Sequence, residues 1–164
     1  MELDAVDKIL QQWQRERPDL DTSSMGLLGR MARLAKHIDR SIQSTVSEFG
    51  LNPGEFDVLA TLRRSGSPYQ LSPTDLFNAL MVTSGTMTHR IDQLERAGWV
   101  KRIPDPGDRR GTLIVLTDQG LQLIDQAVEA HVENGHAIFS VLEKSERESL
   151  MRLLRKLLLS FELK

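Results

Sequence analysis

The chain contains no cysteine, which excludes disulfides, thiolate metal ligands and any thiol-based redox sensor. No apolar run approaches the roughly 18 residues that span a bilayer. The opening residues Met1-Glu2-Leu3-Asp4 lack the basic-then-apolar order of a secretion signal, so a cytoplasmic protein without a membrane partner is expected. There is no phosphate-binding glycine loop, no nucleophile elbow and no carboxylate cluster spaced for acid and base work, which leaves little for catalysis. The four histidines, His37, His89, His131 and His136, show no i, i+4 pairing, so neither a metal nor another cofactor is expected. A generally basic character is missing too. The net charge of −2 argues against an indiscriminate nucleic-acid binder and moves the question to local clusters.

What is present is an ordinary globular balance, 40% hydrophobic and 27% charged, over 164 residues. That length allows one compact core, or one compact module extended by helices that need a partner. Leu3, Val6, Leu10 and Trp13 repeat at helical spacing before Pro18, which predicts a first helix near 3–16. A second, long helix runs from the Ser23-Ser24 cap region to a stop at Gly50. Asn52-Pro53-Gly54-Glu55 opens a shorter helix that breaks at 65–68, and Ser72-Pro73 opens another over Thr74–Ala79. The helix from Ser84 to Arg96 is expected to be capped by Thr83 and ended by Gly98. Trp99–Ile103 and Thr112–Leu116 are β-prone runs around a turn-rich tip. From Asp118 the pattern is helical again to Leu142, and a last helix follows Ser145.

The fold class is therefore mainly α with a small β-hairpin wing, a winged helix-turn-helix flanked by N- and C-terminal helices. At about 100° per residue, Met87, Ile91 and Leu94 form one narrow apolar stripe on the 84–96 helix, and small polar residues occupy the other side. Ser84, Gly85, Thr86, Thr88, His89 and Gln93 are the candidates to meet duplex DNA in the major groove. Arg109 and Arg110 at the hairpin are placed as minor-groove arginines would be, with Asp108 able to hold a guanidinium extended. The bland alternatives are an amphipathic surface helix and a charged tip kept for solubility. A winged helix used for protein docking is a further option.

Arg90 is the odd residue of that helix. It falls about 40° from Leu94, at the edge of the core-facing stripe, where a guanidinium needs an anion. Asp57, set among Phe56, Val58 and Leu59, is one candidate partner. His131 lies within the apolar face of the 118–142 helix and His136 at its margin. On an interface between copies they would form a pH switch, although such a histidine is more often simply satisfied there. The terminal helices carry more apolar surface than a small winged-helix core can cover, which favours a homodimer over a monomer.

Asp108-Arg109-Arg110 followed by Val115-Leu116-Thr117-Asp118-Gln119-Gly120 resembles the hallmark of the MarR family across the wing. Gln12-Trp13, Glu16-Arg17-Pro18-Asp19-Leu20-Asp21, the run Glu55 to Arg64, and Leu94-Glu95-Arg96-Ala97-Gly98-Trp99 are similar to its PecS and urate-responsive branch. The resemblance implies one subunit over 1–164, with the DNA-binding region at 50–117 and dimerisation helices at 1–49 and 118–164. It further implies a repressor that leaves a double-stranded operator when it binds a small aromatic, phenolic or purine-like anion such as urate or xanthine. On the same ground Trp13, Asp57, Arg90 and Arg102 are the ligand residues. Read from the residues alone, Trp13 equally packs at an interface, Arg102 binds phosphate, and Asp57 pairs with Arg90.

Overall fold

A computed structural model describes residues 2–80 and 84–162 and divides the chain into two compact units, Met1–Gln43 and Ser44–Lys164. In the first unit, helix α1 (Ala5–Glu16) begins where the Asp4 carboxylate accepts the Val6 and Asp7 N–H groups, and the Asp7 carboxylate returns the favour to the Asp4 N–H. Such a reciprocal cap satisfies donors that the first turn otherwise leaves open. Helix α2 (Ser23–Ser47) starts one residue earlier than its serine pair suggests, because Asp21 accepts the Ser23 N–H. α1 lies close on α2: Val6 is buried and meets the position of Gly29, Leu10 meets that of Gly26, and Arg30 reaches back to Asp4 at 2.8 Å and Asp7 at 2.6 Å.

In the second unit, α2 ends at Gly50, whose φ of 71° places it in the left-handed region. The Leu51 N–H bonds to the Val46 carbonyl and the Gly50 N–H to that of Ser47, the pairing that closes a helix when glycine follows it. Helix α3 (Pro53–Arg64) opens with a second capping box, Asn52 and Glu55 exchanging side-chain and backbone bonds. Strand β1 (Gln70–Leu71) comes next, then helix α4 (Pro73–Leu80), where Ser72 accepts the Asp75 N–H. Helix α5 (Ser84–Arg96) ends at Gly98 with the same closure as α2. Thr83, expected to cap α5, lies outside the described residues.

Strands β2 (Val100–Asp105) and β3 (Asp108–Leu116) form the hairpin, and the sheet order β1-β3-β2 puts β3 in the centre. β1 was not anticipated. It consists of two residues that pair with Val115 and Ile114 of β3. Helix α6 (Asp118–Ile138) and helix α7 (Lys144–Glu162) complete the chain, so α6 is shorter than its apolar pattern, which continues to Leu142. The core gathers Leu59 and Leu62 of α3, Leu76 of α4, Ile91 and Leu94 of α5, Ile114 of β3 and Ile124 of α6, all fully buried. Each such side chain contributes about 1.5–3 kcal/mol when removed from water. No helix among the described residues is long and apolar enough to cross a membrane.

Candidate functional site

α5 is oriented by its apolar stripe. Met87 and Ile91 are 2% exposed and Leu94 is fully buried, so the remaining face must turn outward. Thr86, Thr88, His89 and Arg96 lie exposed there, Gln93 is half-buried, and Ser84 and Gly85 open the helix. This is the arrangement the periodicity predicts for a helix that enters a groove.

The wing beside it is shaped by aspartates. The Gly107 N–H bonds to the Asp105 carboxylate at 2.8 Å and the Arg110 N–H to that of Asp108 at 2.9 Å. Asp108 thus binds backbone where the sequence suggests that it holds a guanidinium. The last strand pair is Asp105 with Asp108, so the turn is Pro106-Gly107 and the two arginines lie just past it on β3, both exposed. A Cβ on Gly111 would sit 2.9 Å from Asp105 Cβ and 3.1 Å from Asp108 Cβ, which accounts for glycine there.

The stem of the wing is closed by the Val115-to-Gly120 segment. Thr117 Oγ1 donates to the Gly98 carbonyl at 2.7 Å and accepts the Gly120 N–H at 3.0 Å, capping α6 and tying it to the end of α5. A Cβ on Gly120 would overlap the Trp99 carbonyl oxygen.

Arg90 does turn inward. Among the described residues its buried Nη1 has no hydrogen-bond partner, and its guanidinium lies where a Cβ of Gly54 would be, over the first turn of α3. The N-terminal end of a helix is itself partially positive, so a guanidinium placed against it adds like charge. Glu55 is the acidic residue of that turn. Burial pushes the Asp57 carboxyl above its ordinary range, and the charges of Arg90, Arg64 and His131 pull the other way. The structure therefore brings Asp57 and Arg90 into one electrostatic group, adds Arg64, and adds His131, whose ring lies 5.0 Å from that of Phe56 and whose Nδ1 is buried without a hydrogen-bond partner.

Arg102 and His136 stand elsewhere in the second unit, and Trp13 is described within its own. Arg102 is held by Asp92 and Glu95 of α5 and is spoken for by these two carboxylates. Trp13 belongs to the N-terminal unit, 40% exposed on α1. His136 is exposed near the end of α6. The sequence signal for Arg64 was available: it follows Asp57 by two helical turns on α3, which puts both on one side of that helix.

Comparison with known proteins finds relatives in sequence and in fold. The model described as "MarR family" matches residues 51–112. The HTH-type transcriptional regulator PecS of Dickeya dadantii (strain 3937) is 48% identical over 149 residues, 91% of this chain and 90% of that protein. A crystal structure of a MarR mutant from E. coli complexed with operator DNA is similar with a TM-score of 0.71 at 27% identity, covering 89% of this chain and 97% of the other. BpsR of Bordetella bronchiseptica, solved to explain regulation of its DNA binding by 6-hydroxynicotinic acid, gives a TM-score of 0.70 at 28% identity over 84% of this chain and 95% of its own.

Proposed function

This chain belongs to the MarR family of winged-helix transcription regulators, and from that premise we propose that it is a homodimeric repressor, active in the cytoplasm, released from its operator by a small aromatic or purine-like anion. One observation carries the ligand: the buried, partnerless Nη1 of Arg90 at the start of α3. A cationic donor in a positive helix terminus is an anion site without its anion. Arg90 and Arg64 supply the charge, and Asp57 serves as an acceptor for ring N–H groups or takes up a proton. Trp13 is the stacking residue that the resemblance implies. Arg102 has no part in this set. Because Arg90 is on α5, an anion that draws its guanidinium also shifts the helix that reads DNA, and the two ligands then favour different states of one element. BpsR, with its heteroaromatic carboxylate, makes an aromatic anion the reasonable class.

The DNA contacts assigned to this regulator are Ser84, Gly85, Thr86, Thr88, His89 and Gln93 from α5 and Arg109 and Arg110 from the wing, with Asp108 shaping the turn. Its biological role is regulation rather than catalysis. The dimer follows from surplus apolar surface, since α7 contains no buried residue and Phe161 is 72% exposed.

Calorimetric titration with urate, xanthine and 6-hydroxynicotinate tests the ligand site. Heat is expected with at least one of them, and Arg90→Ala or Arg64→Ala should weaken that binding by about tenfold or more, the cost of about 1.4 kcal/mol from losing a charge-assisted pair. Heat that persists unchanged in both variants would place the ligand elsewhere. A second reading rests on His131, whose buried Nδ1 lacks a hydrogen-bond partner beside Asp57: operator affinity would then follow pH without any effector.

A further inference from the structure

We infer that Arg102 is a positioning residue, a clamp that sets the direction of the wing relative to the DNA-reading helix α5. The inference rests on the wing touching DNA, and its test separates the two.

β2 is an edge strand, since the sheet order is β1-β3-β2. Edge strands present backbone groups that have no neighbouring strand to meet. Arg102 meets a helix instead. Its backbone N–H donates to Glu95 Oε1 at 3.1 Å, its Nη1 donates to Glu95 Oε2, and its Nη2 donates to Asp92 Oδ1 at 2.5 Å. Asp92 and Glu95 stand three apart on α5, so they are neighbours on one flank of the helix. One residue of the wing is thus bound three times to one helix. The guanidinium fork makes this possible, because its donors lie in a fixed plane that can address two carboxylates together.

The position of this contact along the wing matters as much as its chemistry. Arg102 pairs with Ile114 of β3, and Ile114 pairs in turn with Leu71 of β1. The row Leu71, Ile114, Arg102, Glu95 therefore crosses from β1 through both wing strands to α5. Beyond it, from Ile103 and Leu113 to Asp105 and Asp108, the ladder consists of two strands only. A two-stranded ribbon is marginal by itself. Among the described residues, the row is the last rung of the ladder that reaches past the two strands of the ribbon that carries Arg109 and Arg110.

A direct role for Arg102 in binding an anion is disfavoured by the same contacts. The guanidinium with Asp92 and Glu95 carries a net charge of −1, which repels phosphate and ligand carboxylate alike. Exposed ion pairs of this kind add little to folding stability, so the clamp acts on geometry.

The test uses an operator duplex recovered by selection from random DNA, measured by fluorescence anisotropy across salt concentrations and by hydroxyl-radical footprinting. Arg110→Ala tests the wing alone. It should weaken binding and flatten the salt dependence by about 0.9 in log–log slope for each phosphate neutralisation lost. If it changes neither, the wing reading itself fails. Given that effect, Arg102→Ala and the double variant Asp92→Asn/Glu95→Gln should each lose the flanking minor-groove protection while keeping the central major-groove protection, with unchanged thermal unfolding. Arg102→Ala should add less than twofold to the loss already caused by Arg110→Ala, because both remove the same contacts. Arg102→Lys, with a point charge for a fork, should fall between. Additive losses, or wing protection that survives Asp92→Asn/Glu95→Gln while Arg102→Ala abolishes it, would overturn the clamp in favour of a direct phosphate contact.

Discussion

Asp57 illustrates how one side chain can couple a ligand to protons. Burial raises its carboxyl against the pull of Arg90, Arg64 and His131. A carboxyl with a folded pKa above its unfolded value binds its proton more tightly in the fold, so its ionisation costs stability above that folded pKa, and the cost is relieved as pH falls through it. An anion seated against Arg90 raises the Asp57 pKa further. Ligand binding should therefore take up a proton, and affinity should rise as pH falls from neutral toward the Asp57 transition. Calorimetry at mildly acidic pH in buffers of different ionisation heat measures the uptake directly. It should vanish in Asp57→Asn and persist in His131→Asn, whereas the opposite pattern would assign the proton to the histidine. The inward Arg90 was legible from helical phase alone. Arg102 was not, because its partners Asp92 and Glu95 are ten and seven residues away across a helix end, and no periodicity relates a helix flank to a strand edge.

The seven helices among the described residues were largely visible in the chain because their ends are written locally. Asp4, Asn52, Ser72 and Thr117 cap within three residues of themselves, and Gly50 and Gly98 stop the helices that precede them. β1 was invisible for the converse reason. Gln70 and Leu71 have no period to detect and become a strand only because β3 offers them an edge. The end of α6 escaped too: the apolar pattern runs on past Ile138, but Phe139 leaves helical geometry at φ −96° and ψ 10°, and the next N–H, that of Ser140, turns to the Ala137 carbonyl three residues back at 3.2 Å. Among caps, Thr117 does the most, since its hydroxyl serves both α6 and the end of α5. Thr117→Val should cost about 1–2 kcal/mol in chemical denaturation, and Thr117→Ser should recover most of it. A larger loss in Thr117→Ser than in Thr117→Val would mean that the methyl group, not the hydroxyl, is what the site requires.

At the scale of the molecule, the chain has a well-filled interior around α3, α5 and α6 and bare apolar flanks at its ends. Leu27 and Leu28 of α2 and Leu154, Leu157 and Leu158 of α7 are all exposed. Exposed apolar side chains of this kind, each set within its own unit, fit the homodimer proposed above. Leu154→Glu/Leu158→Glu should halve the mass seen by light scattering and abolish operator binding, because two half-sites need two readers. A dimer that survives this change would move the interface to the N-terminal helices.

The closure at the root of the wing has a consequence for how such a protein diversifies. Thr117 against Gly98 and Gly120 against Trp99 pin the two ends of one stretch of chain together, so residues 99–116 form a loop with a locked neck. Whatever happens beyond Ile103 and Leu113 is insulated from the core by that neck. The finger can lengthen, shorten or exchange charges to suit a new operator without refolding the hand.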